Sequence, residues 1–459
     1  MRVCKSHPWK VALLGCAVAL LGWFGWRYAD RRTPTLLALN PSTGKLQWVQ
    51  PLAPDIGFSK GPIAGDGKVL LDFCRSTSEQ RCGIYQLQVF DAQAGRLLWS
   101  ERIEGRSTPS QLATNQSALL QHKQLYFQLE DQLLSLDPAT GVQRWAIPRR
   151  WFYDPVDFWY GMGLISRPNT LTIINRNDQQ QALQTLEPKT GKPLQQTPLS
   201  LSKLRTAKKL IAADDRSLFL ETSGPVPAES PNTSFDGGTS TITAYDLKTL
   251  QPRFRIDIQG DLSHLQVAGN TLQIRTYDRY DRKTQTIATG GVLAVSATSG
   301  QRLWQKNTAQ LGCREDGYSW RVNTETVYLN CRNGRVLNGS QERKIVALSA
   351  QTGQVKWQTQ ISPDRYSDNL PSAVSAQQYL TFRYVLKTKV GQKQAIALDR
   401  QTGKILWAFP LYDEKARYVG TAGSVVAAEG DRFFMLDVLP RWQLWLLQVN
   451  RNWYVKQLL

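Results

Sequence analysis

Short apolar stretches alternate with polar turns along most of this chain, and one version of that pattern recurs. In most copies an apolar residue is followed by a short polar or acidic residue, three turn residues, a glycine and, four residues later, a tryptophan. Eight copies occur at intervals of 46 to 59 residues, and a repeat of about 50 residues holds roughly four strands, which is one propeller blade. The pattern predicts an all-β fold, an eight-bladed β-propeller of four-stranded antiparallel blades. The copies begin at Leu39, Phe90, Leu136, Leu186, Tyr245, Val295, Leu348 and Leu398.

The residue types within each copy have separate roles. An Asp, Asn or Ser that opens the turn can accept hydrogen bonds from backbone amides ahead of it, and glycine closes a turn that needs a positive φ. A single blade cannot bury its own apolar face, so we expect each tryptophan to pack against the next blade. Two copies depart from the pattern, with Gln195 in place of tryptophan in the fourth and with Leu250 and Phe254 in place of glycine and tryptophan in the fifth. The tryptophans expected to dock blades are Trp48, Trp99, Trp145, Trp304, Trp357 and Trp407.

The two ends of the propeller, which we place at residues 36–459, are expected to complete one blade together. The first copy begins so early that the two strands that should precede it are missing at that end. Residues 424–428 and 432–437 have the composition of strands and are separated by a turn at Gly430 and Asp431. We therefore predict a blade shared between the termini, which closes the ring and removes exposed sheet edges. Residues 442–449 either add an outer strand or displace the N-terminal hairpin from this pairing.

The first 35 residues differ from the rest. Residues 1–10 form a basic segment, residues 11–26 are an uncharged apolar run, and residues 27–35 are a linker. Sixteen residues of helix span roughly 24 Å, which is short for a bilayer core of about 30 Å but workable with tryptophans at the interfaces. We interpret residues 11–26 as a transmembrane signal anchor. The alternatives are a lipoprotein anchored at Cys16 and simple cleavage after Ala19.

Four of the six cysteines form two pairs that are close in sequence. Cys74 and Cys82 flank a predicted hairpin loop, and Cys313 and Cys331 bracket two predicted strands. Each pair can come within bridging distance, so we predict two disulfides; the alternative is four separate buried thiols. Disulfides indicate an exported protein. The expected location is the bacterial inner membrane, with one membrane pass and the propeller in the periplasm.

The chain is strongly basic, with a formal net charge of +19. Most of this charge lies in the propeller, so acidic proteins or anionic lipid headgroups are candidate partners. The alternative is a solvated basic surface that keeps the protein soluble. No recognition helix or RNA-binding aromatic pattern accompanies the charge, and we therefore expect no nucleic acid partner.

The repeat resembles the pyrroloquinoline-quinone-type repeat of one β-propeller family, whose pattern is A-x-D-x-x-T-G-x-x-x-W. Residues 397–407 match it at every position, and residues 347–357 match it with Ser349 in place of Asp. In the catalytic members of that family, the resemblance implies a quinone at the propeller axis with a calcium ion, a catalytic Asp and often a disulfide between adjacent cysteines. This chain has no adjacent cysteines and no catalytic motif. Among its three histidines, His122 and His264 are expected at the surface.

The chain looks closer to the non-catalytic, BamB-like branch of the family, whose members are anchored propellers of similar length. That resemblance implies a scaffold that binds other proteins in an envelope complex, with no catalytic, cofactor-binding or metal-binding residues. The apolar run before Cys16 is short for a lipoprotein signal, so we expect a tethered relative of BamB rather than BamB itself. The alternative function is a quinone-dependent dehydrogenase.

The densest aromatic run in the chain lies at residues 151–160 and follows two arginines. One strand cannot bury so many aromatic side chains on its inward face, and aromatic and arginine side chains dominate many interfaces. The alternative is that the run packs between the third and fourth blades. The residues predicted to bind a partner are Arg149, Arg150, Trp151, Phe152, Tyr153, Phe158, Trp159 and Tyr160.

Overall fold

The computed structural model describes the strands and most of the turns of the chain. The described residues are 32–52, 58–59, 62–78, 81–107, 118–129, 132–148, 164–176, 181–199, 211–223, 239–260, 262–276, 279–281, 286–288, 290–307, 309–313, 320–335, 341–364, 373–385, 392–410 and 426–440.

Eight antiparallel sheets, each built on a path of four strands, form the blades of a propeller. The predicted eight-bladed architecture is therefore confirmed. We number the blades by the repeat copy that each contains. Blade 1 contains β1 (Arg32–Leu39), β2 (Leu46–Pro51), β34 (Val426–Glu429) and β35 (Arg432–Pro440). Blade 2 contains β3 (Phe58–Ser59), β4 (Ile63–Gly65), β5 (Lys68–Ser78), β6 (Arg81–Asp91) and β7 (Leu97–Ser107). Blade 3 contains β8 (Ala118–Gln121), β9 (Gln124–Gln128), β10 (Gln132–Leu136) and β11 (Gln143–Pro148). Blade 4 contains β12 (Leu164–Ser166), β13 (Leu171–Arg176), β14 (Gln181–Leu186) and β15 (Pro193–Leu199).

The second half of the ring follows the same plan, with one additional hairpin in blade 6. Blade 5 contains β16 (Ile211–Ala213), β17 (Ser217–Ser223), β18 (Thr239–Asp246) and β19 (Pro252–Gln259). Blade 6 contains β20 (Leu262–Ala268), β21 (Thr271–Thr276), β24 (Gly291–Ser296) and β25 (Arg302–Asn307), and its hairpin is β22 (Arg279–Asp281) with β23 (Thr286–Ala288). A 3-10 turn, η1 (Ala309–Leu311), follows β25. Blade 7 contains β26 (Trp320–Val322), β27 (Thr326–Arg335), β28 (Gln341–Ser349) and β29 (Val355–Asp364). Blade 8 contains β30 (Ala373–Val374), β31 (Gln378–Val385), β32 (Gln392–Asp399) and β33 (Ile405–Pro410).

Blade 1 is built from both ends of the chain. Its strand order is β2-β1-β35-β34, so β1 lies between β2 and the C-terminal β35. The pairing of β1 with β35 runs from Arg32 opposite Pro440 to Leu39 opposite Phe433. The predicted closure by N- and C-terminal strands is confirmed. Residues 442–449, whose role the sequence left open, lie outside the described part of the chain.

A β-bulge recurs at the same place in every motif hairpin. The register between the two outer strands shifts just before the turn, directly after the residue that pairs with the tryptophan position. In blade 8, Ala397 pairs with Trp407, and the shift follows. A bulge increases the local twist of the strands, which re-aims the side chains beside it. The residues paired with the tryptophan position are Ala38, Val89, Ser135, Thr185, Ala244, Ala294, Ala347 and Ala397.

The ring has two faces, which we name the turn face and the loop face. Within a blade, the turn between the two inner strands and the motif turn between the two outer strands lie at the same end. Hydrogen bonds join them: the Ala92 amide donates to the Gly67 carbonyl at 3.0 Å, and the Leu247 amide donates to the Arg216 carbonyl at 2.8 Å. This end is the turn face, and all its turns are described. The opposite end, where one blade connects to the next, is the loop face.

The apolar core is divided among the junctions between blades. Eight clusters of buried side chains are present, and each draws its members from two adjacent blades. In the cluster between blades 8 and 1, Leu37 and Phe433 of blade 1 pack with Leu380 of blade 8. Blades are therefore stabilised by their neighbours, as the repeat predicts. Within the described residues, no helix has the length and apolar character needed to cross a membrane, and the segment predicted as an anchor lies outside them.

Candidate functional site

The tryptophan of one blade lies on the glycine of the next motif turn. At Gly95, which has a φ of +70°, an added Cβ atom would lie 2.5 Å from the Trp48 ring. The Trp48 indole nitrogen also donates a hydrogen bond to the Ala92 carbonyl at 3.1 Å. Glycine is thus required here for two reasons, because the backbone is left-handed and because the ring leaves no space for a side chain.

The same joint occurs between six pairs of blades. One of them closes the ring, because Trp407 lies on Gly44 and donates to the Pro41 carbonyl at 2.6 Å, across 366 residues of sequence. Each indole satisfies its donor on a carbonyl of the next motif turn, as a buried tryptophan needs. The six pairs are Trp48 with Gly95, Trp99 with Gly141, Trp145 with Gly191, Trp304 with Gly353, Trp357 with Gly403 and Trp407 with Gly44.

Phe254 replaces tryptophan at the junction between blades 5 and 6. Its ring lies on Gly300, where an added Cβ atom would be 2.7 Å away. Phenylalanine has no indole donor, but the neighbouring Arg253 donates to the Thr298 carbonyl of the same motif turn at 3.2 Å. An arginine therefore provides the polar contact that the phenylalanine lacks.

The junction between blades 4 and 5 combines the two remaining departures from the repeat. Gln195 stands at the tryptophan position, and its amide donates to the Thr249 carbonyl at 2.8 Å. Leu250 stands at the glycine position with a φ of +57° and is fully buried. Its side chain packs in the apolar cluster of this junction with Leu218 and Leu247. At this junction the apolar side chain comes from Leu250 of blade 5. At the other junctions an aromatic ring of the preceding blade packs there instead.

In seven of the eight motif turns, the side chain of the first polar residue accepts hydrogen bonds from backbone amides of the turn, whereas Glu187 in blade 4 accepts from the Thr190 hydroxyl. Asp399 accepts hydrogen bonds from the Gln401 and Thr402 amides at 3.0 and 2.8 Å and from the Thr402 hydroxyl at 2.8 Å. These bonds, led by the one from the Thr402 amide, hold the pKa of the Asp399 carboxyl below its usual value. Such a carboxylate stabilises the turn.

Two carboxylates on the inner turns connect neighbouring blades. The Gly67 amide of blade 2 donates to Glu429 of blade 1 at 2.6 Å. The Lys123 amide of blade 3 donates to Asp66 of blade 2 at 2.6 Å. These contacts cross from one innermost hairpin to the next, so both side chains help to hold the inner wall of the ring together.

A histidine and two arginines lie at the inner strands of blades 6 and 7. The His264 ring lies 6.0 Å from the Trp320 ring, measured between centroids, and His264 pairs with Arg275 across the sheet. Burial, together with the charges of Arg275 and Arg321, lowers the pKa of His264 to about 3. The expectation of a surface histidine is therefore wrong for His264, which is half-buried and neutral at physiological pH; His122 is exposed, in a turn with a φ of +54°.

One disulfide lies within the described residues. Cys313, which follows η1, is bonded to Cys331 in β27, with their Cα atoms 4.9 Å apart. The bond fixes the connection from blade 6 to the second strand of blade 7. Cys74 lies in β5 and Cys82 in β6, but their side chains are outside the described part of the structure, so that disulfide stays a prediction.

The aromatic run predicted to bind a partner connects β11 to β12. All eight of its residues, Arg149, Arg150, Trp151, Phe152, Tyr153, Phe158, Trp159 and Tyr160, lie outside the described residues. Of its surroundings, the structure describes only the end of β11 at Pro148 and the start of β12 at Leu164, both at the loop face. Its role in binding stays a prediction.

The described residues do not fit a calcium-assisted quinone site. No three His, Cys, Asp or Glu side chains in the described ranges are grouped so that they could hold a metal ion. On the inner turns, Asp66 and Glu429 accept hydrogen bonds from neighbouring blades, and Asp214 accepts from the Arg216 and Ser217 amides at 2.6 Å. No catalytic step follows from this arrangement.

Comparison with known proteins agrees with the repeat. The family model of the outer membrane protein assembly factor BamB matches residues 18–149 and 179–437. No curated protein matches the chain by sequence. Among solved structures, the quinohemoprotein alcohol dehydrogenase ADHIIG of Pseudomonas putida HK5 is similar at 12% identity and a TM-score of 0.47, over 85% of this chain and 75% of that chain. The quinohemoprotein alcohol dehydrogenase of Comamonas testosteroni has 12% identity and a TM-score of 0.46, over 90% of this chain and 77% of that chain. The family match covers most of the ring described above, and the chain belongs to the family of the outer membrane protein assembly factor BamB.

Proposed function

We propose that the protein is a non-catalytic scaffold of the cell envelope, tethered to a membrane, whose propeller holds a partner protein in a multiprotein complex. The family supports this function, because its name denotes a factor in protein assembly. The observation that carries the proposal is the use of the inner carboxylates: Asp66 and Glu429 accept hydrogen bonds that connect blades. In a quinone enzyme, carboxylates near the axis would instead be needed for calcium and for catalysis.

The proposed tether is residues 11–26, acting as an uncleaved signal anchor. The propeller then lies in the periplasm of a bacterium, attached to the inner membrane. The disulfide between Cys313 and Cys331 supports an exported location, because such bonds persist in oxidising compartments. Mass spectrometry of the purified N-terminus tests the tether: an intact residue 1–26 segment is expected, whereas a lipid on Cys16 or cleavage after Ala19 would replace this model.

Co-purification tests the scaffold function directly. Membranes are solubilised gently, and proteins retained by the full-length chain are identified by mass spectrometry. We expect a reproducible envelope protein, and we expect the double variant Trp151→Ala, Trp159→Ala to lose it while the fold is kept. The matched control replaces two exposed aliphatic side chains away from this run, Leu97→Ala and Val142→Ala. If no protein is retained by the unmodified chain, the scaffold proposal is wrong.

The alternative enzyme is tested with the same purified protein. Pyrroloquinoline quinone and calcium are added, and reduction of an artificial electron acceptor is followed with alcohols and sugars. The scaffold proposal predicts neither saturable quinone binding nor turnover. Turnover that depends on both additions would establish a quinone-dependent dehydrogenase instead.

A further inference from the structure

The chain enters and leaves the ring at one place on the loop face. β1 ends at Leu39, directly before the motif turn of blade 1, so it begins at the loop face with Arg32. β35 begins at Arg432, directly after the inner turn of the same blade, so it ends at the loop face with Pro440. Arg32 and Pro440 are partners in the pairing of the two strands. The segments that precede β1 and follow β35 therefore start side by side.

The proposed tether brings this place close to the membrane. Residues 27–31 separate Arg32 from the anchor segment, residues 11–26, and a fully extended chain of five residues reaches about 18 Å. Adjacent strands of a sheet are about 5 Å apart, so Pro440 lies about as near to the bilayer as Arg32 does. The segment that follows β35 thus starts within reach of the membrane surface, and the turn face lies on the opposite side of the ring.

The residues that follow β35 have the composition of a segment that lies at a membrane surface. We call residues 441–459 the C-terminal segment; it contains three tryptophans, one tyrosine and three basic residues, and it has no acidic residue. Tryptophan and tyrosine are enriched where lipid headgroups meet hydrocarbon, and basic side chains are attracted to anionic headgroups. These residues are Trp442, Trp445, Trp453 and Tyr454, with Arg441, Arg451 and Lys456.

The sheet of blade 1 is a poor alternative site for the C-terminal segment. β35 is already hydrogen-bonded along both edges, to β1 and to β34, which leaves β2 at the outer end of the described sheet. Four of the six residues of β2 are only partly buried, so a fifth strand outside it would be covered still less. Successive side chains of a strand point to opposite faces, and residues 442–447 would have apolar side chains on both. The two sets are Trp442, Leu444 and Leu446, and Trp445 and Leu447.

We propose that the C-terminal segment binds the membrane surface and is a second attachment of the propeller, beside the anchor. This inference rests on the proposed tether and assigns a lipid bilayer to a part of the chain that the scaffold function does not use. The tryptophans lie at the boundary between headgroups and hydrocarbon, and the basic side chains contact anionic headgroups.

The two attachments reinforce each other because they start at neighbouring residues. A surface-bound segment by itself attaches reversibly, but a segment held near the bilayer by an anchor binds at a high effective concentration. A single linker of five residues does not fix the direction in which the ring faces. Two attachments at the same edge of blade 1 hold the loop face toward the membrane and the turn face away from it.

The test cuts the tether and leaves the propeller and its C-terminal segment whole. A protease recognition sequence is inserted within residues 27–31 of the full-length chain, which is reconstituted into vesicles of phosphatidylglycerol and phosphatidylcholine. The protease is then added, and the vesicles are floated on a density gradient. We expect the cut propeller of the parent protein to float with the vesicles, because the C-terminal segment still binds them.

Two variants show which side chains hold the cut propeller. The segment variant replaces three tryptophans by serine, and its ratio of bound to free protein should fall at least about tenfold, because apolar contact with lipid is lost. The matched control replaces three exposed aliphatic side chains at the turn face by serine and should bind like the parent. The segment variant is Trp442→Ser, Trp445→Ser, Trp453→Ser, and the control is Leu97→Ser, Val142→Ser, Leu194→Ser.

The opposite results overturn the inference. Release of the parent propeller after cutting would show that the tether is the sole attachment, which leaves the proposed tether in place. Binding of the segment variant at the parental level would assign the second attachment to another part of the ring. Protein that does not float before cutting would contradict both the tether and this inference. Thermal unfolding in detergent should be the same for the parent and the segment variant; a lower midpoint for the variant, with release of the parent, would mean that the segment packs on blade 1.

Discussion

Gln195 and Leu250 meet at one blade junction, at the two positions where six other junctions have tryptophan and glycine. Seen in sequence order, they belong to different repeat copies and look like two independent losses. In the ring they are two halves of one altered joint. The loss of an indole at position 195 and the gain of a side chain at position 250 compensate each other, because Leu250 fills apolar space that the missing indole would have occupied.

We expect the stability effects of these two positions to be strongly coupled. Gln195→Trp alone should destabilise by about 2 kcal/mol, because the indole overlaps Leu250. Leu250→Gly alone relieves an unfavourable φ but removes a fully buried side chain, for a net loss of about 2 kcal/mol. The double variant rebuilds the usual joint and should unfold close to the parent. Urea unfolding of all four proteins measures the coupling, and losses that simply add would show that the two positions do not share a joint.

Two glycine-to-alanine substitutions can separate the stability cost of overlap with a tryptophan ring from the cost of a left-handed backbone. Gly95→Ala meets the Trp48 ring and also has to adopt a positive φ, whereas Gly67→Ala, with a φ of +72°, has no atom within 4 Å of the added Cβ. We expect a loss of about 1 kcal/mol for Gly67→Ala from conformation alone and about 2 kcal/mol more for Gly95→Ala from overpacking. Equal losses in denaturant unfolding would mean that the tryptophan contact contributes little.

His264 should make the stability of the propeller sensitive to mild acid. Its pKa is lowered to about 3 in the folded protein, so below pH 6.5 the unfolded chain gains a proton that the folded chain does not. Stability due to this group is therefore full above pH 6.5 and falls as the pH drops toward 3, by about 2 kcal/mol at pH 5. His264→Gln should remove that part of the pH dependence. The matched control is His122→Gln, at an exposed turn.

The disulfide between Cys313 and Cys331 should contribute about 3 kcal/mol, because it closes a short loop in the unfolded chain. The double variant Cys313→Ser, Cys331→Ser is expected to unfold at correspondingly lower urea concentration. Peptide mapping under non-reducing conditions checks this bond and the predicted bond between Cys74 and Cys82. If mapping finds Cys74 and Cys82 reduced in protein purified without added reductant, the second prediction is wrong.

The blade count and the shared blade could be predicted from the sequence because each recurring position of the repeat pattern has a recognisable physical role. A capped turn, a left-handed glycine and a tryptophan recur with a spacing that only a blade of four strands accommodates. The pairing of Gln195 with Leu250 could not be predicted, because a contact between blades is not visible within one copy. His264 was misjudged for a similar reason: its polar neighbours in sequence indicated the surface, whereas Trp320 and Arg321 come from the next blade.

The shared blade has a consequence for how the protein is made. β1 is synthesised long before its partner β35, because the strands of the other seven blades lie between them in the chain. Until then, the apolar stretch Leu36, Leu37, Ala38 and Leu39, which is fully buried in the finished ring, keeps one unpaired strand edge. Until β35 is present, this edge is open to non-native strand pairing, and truncation before β35 is expected to make the first hairpin a template for aggregation.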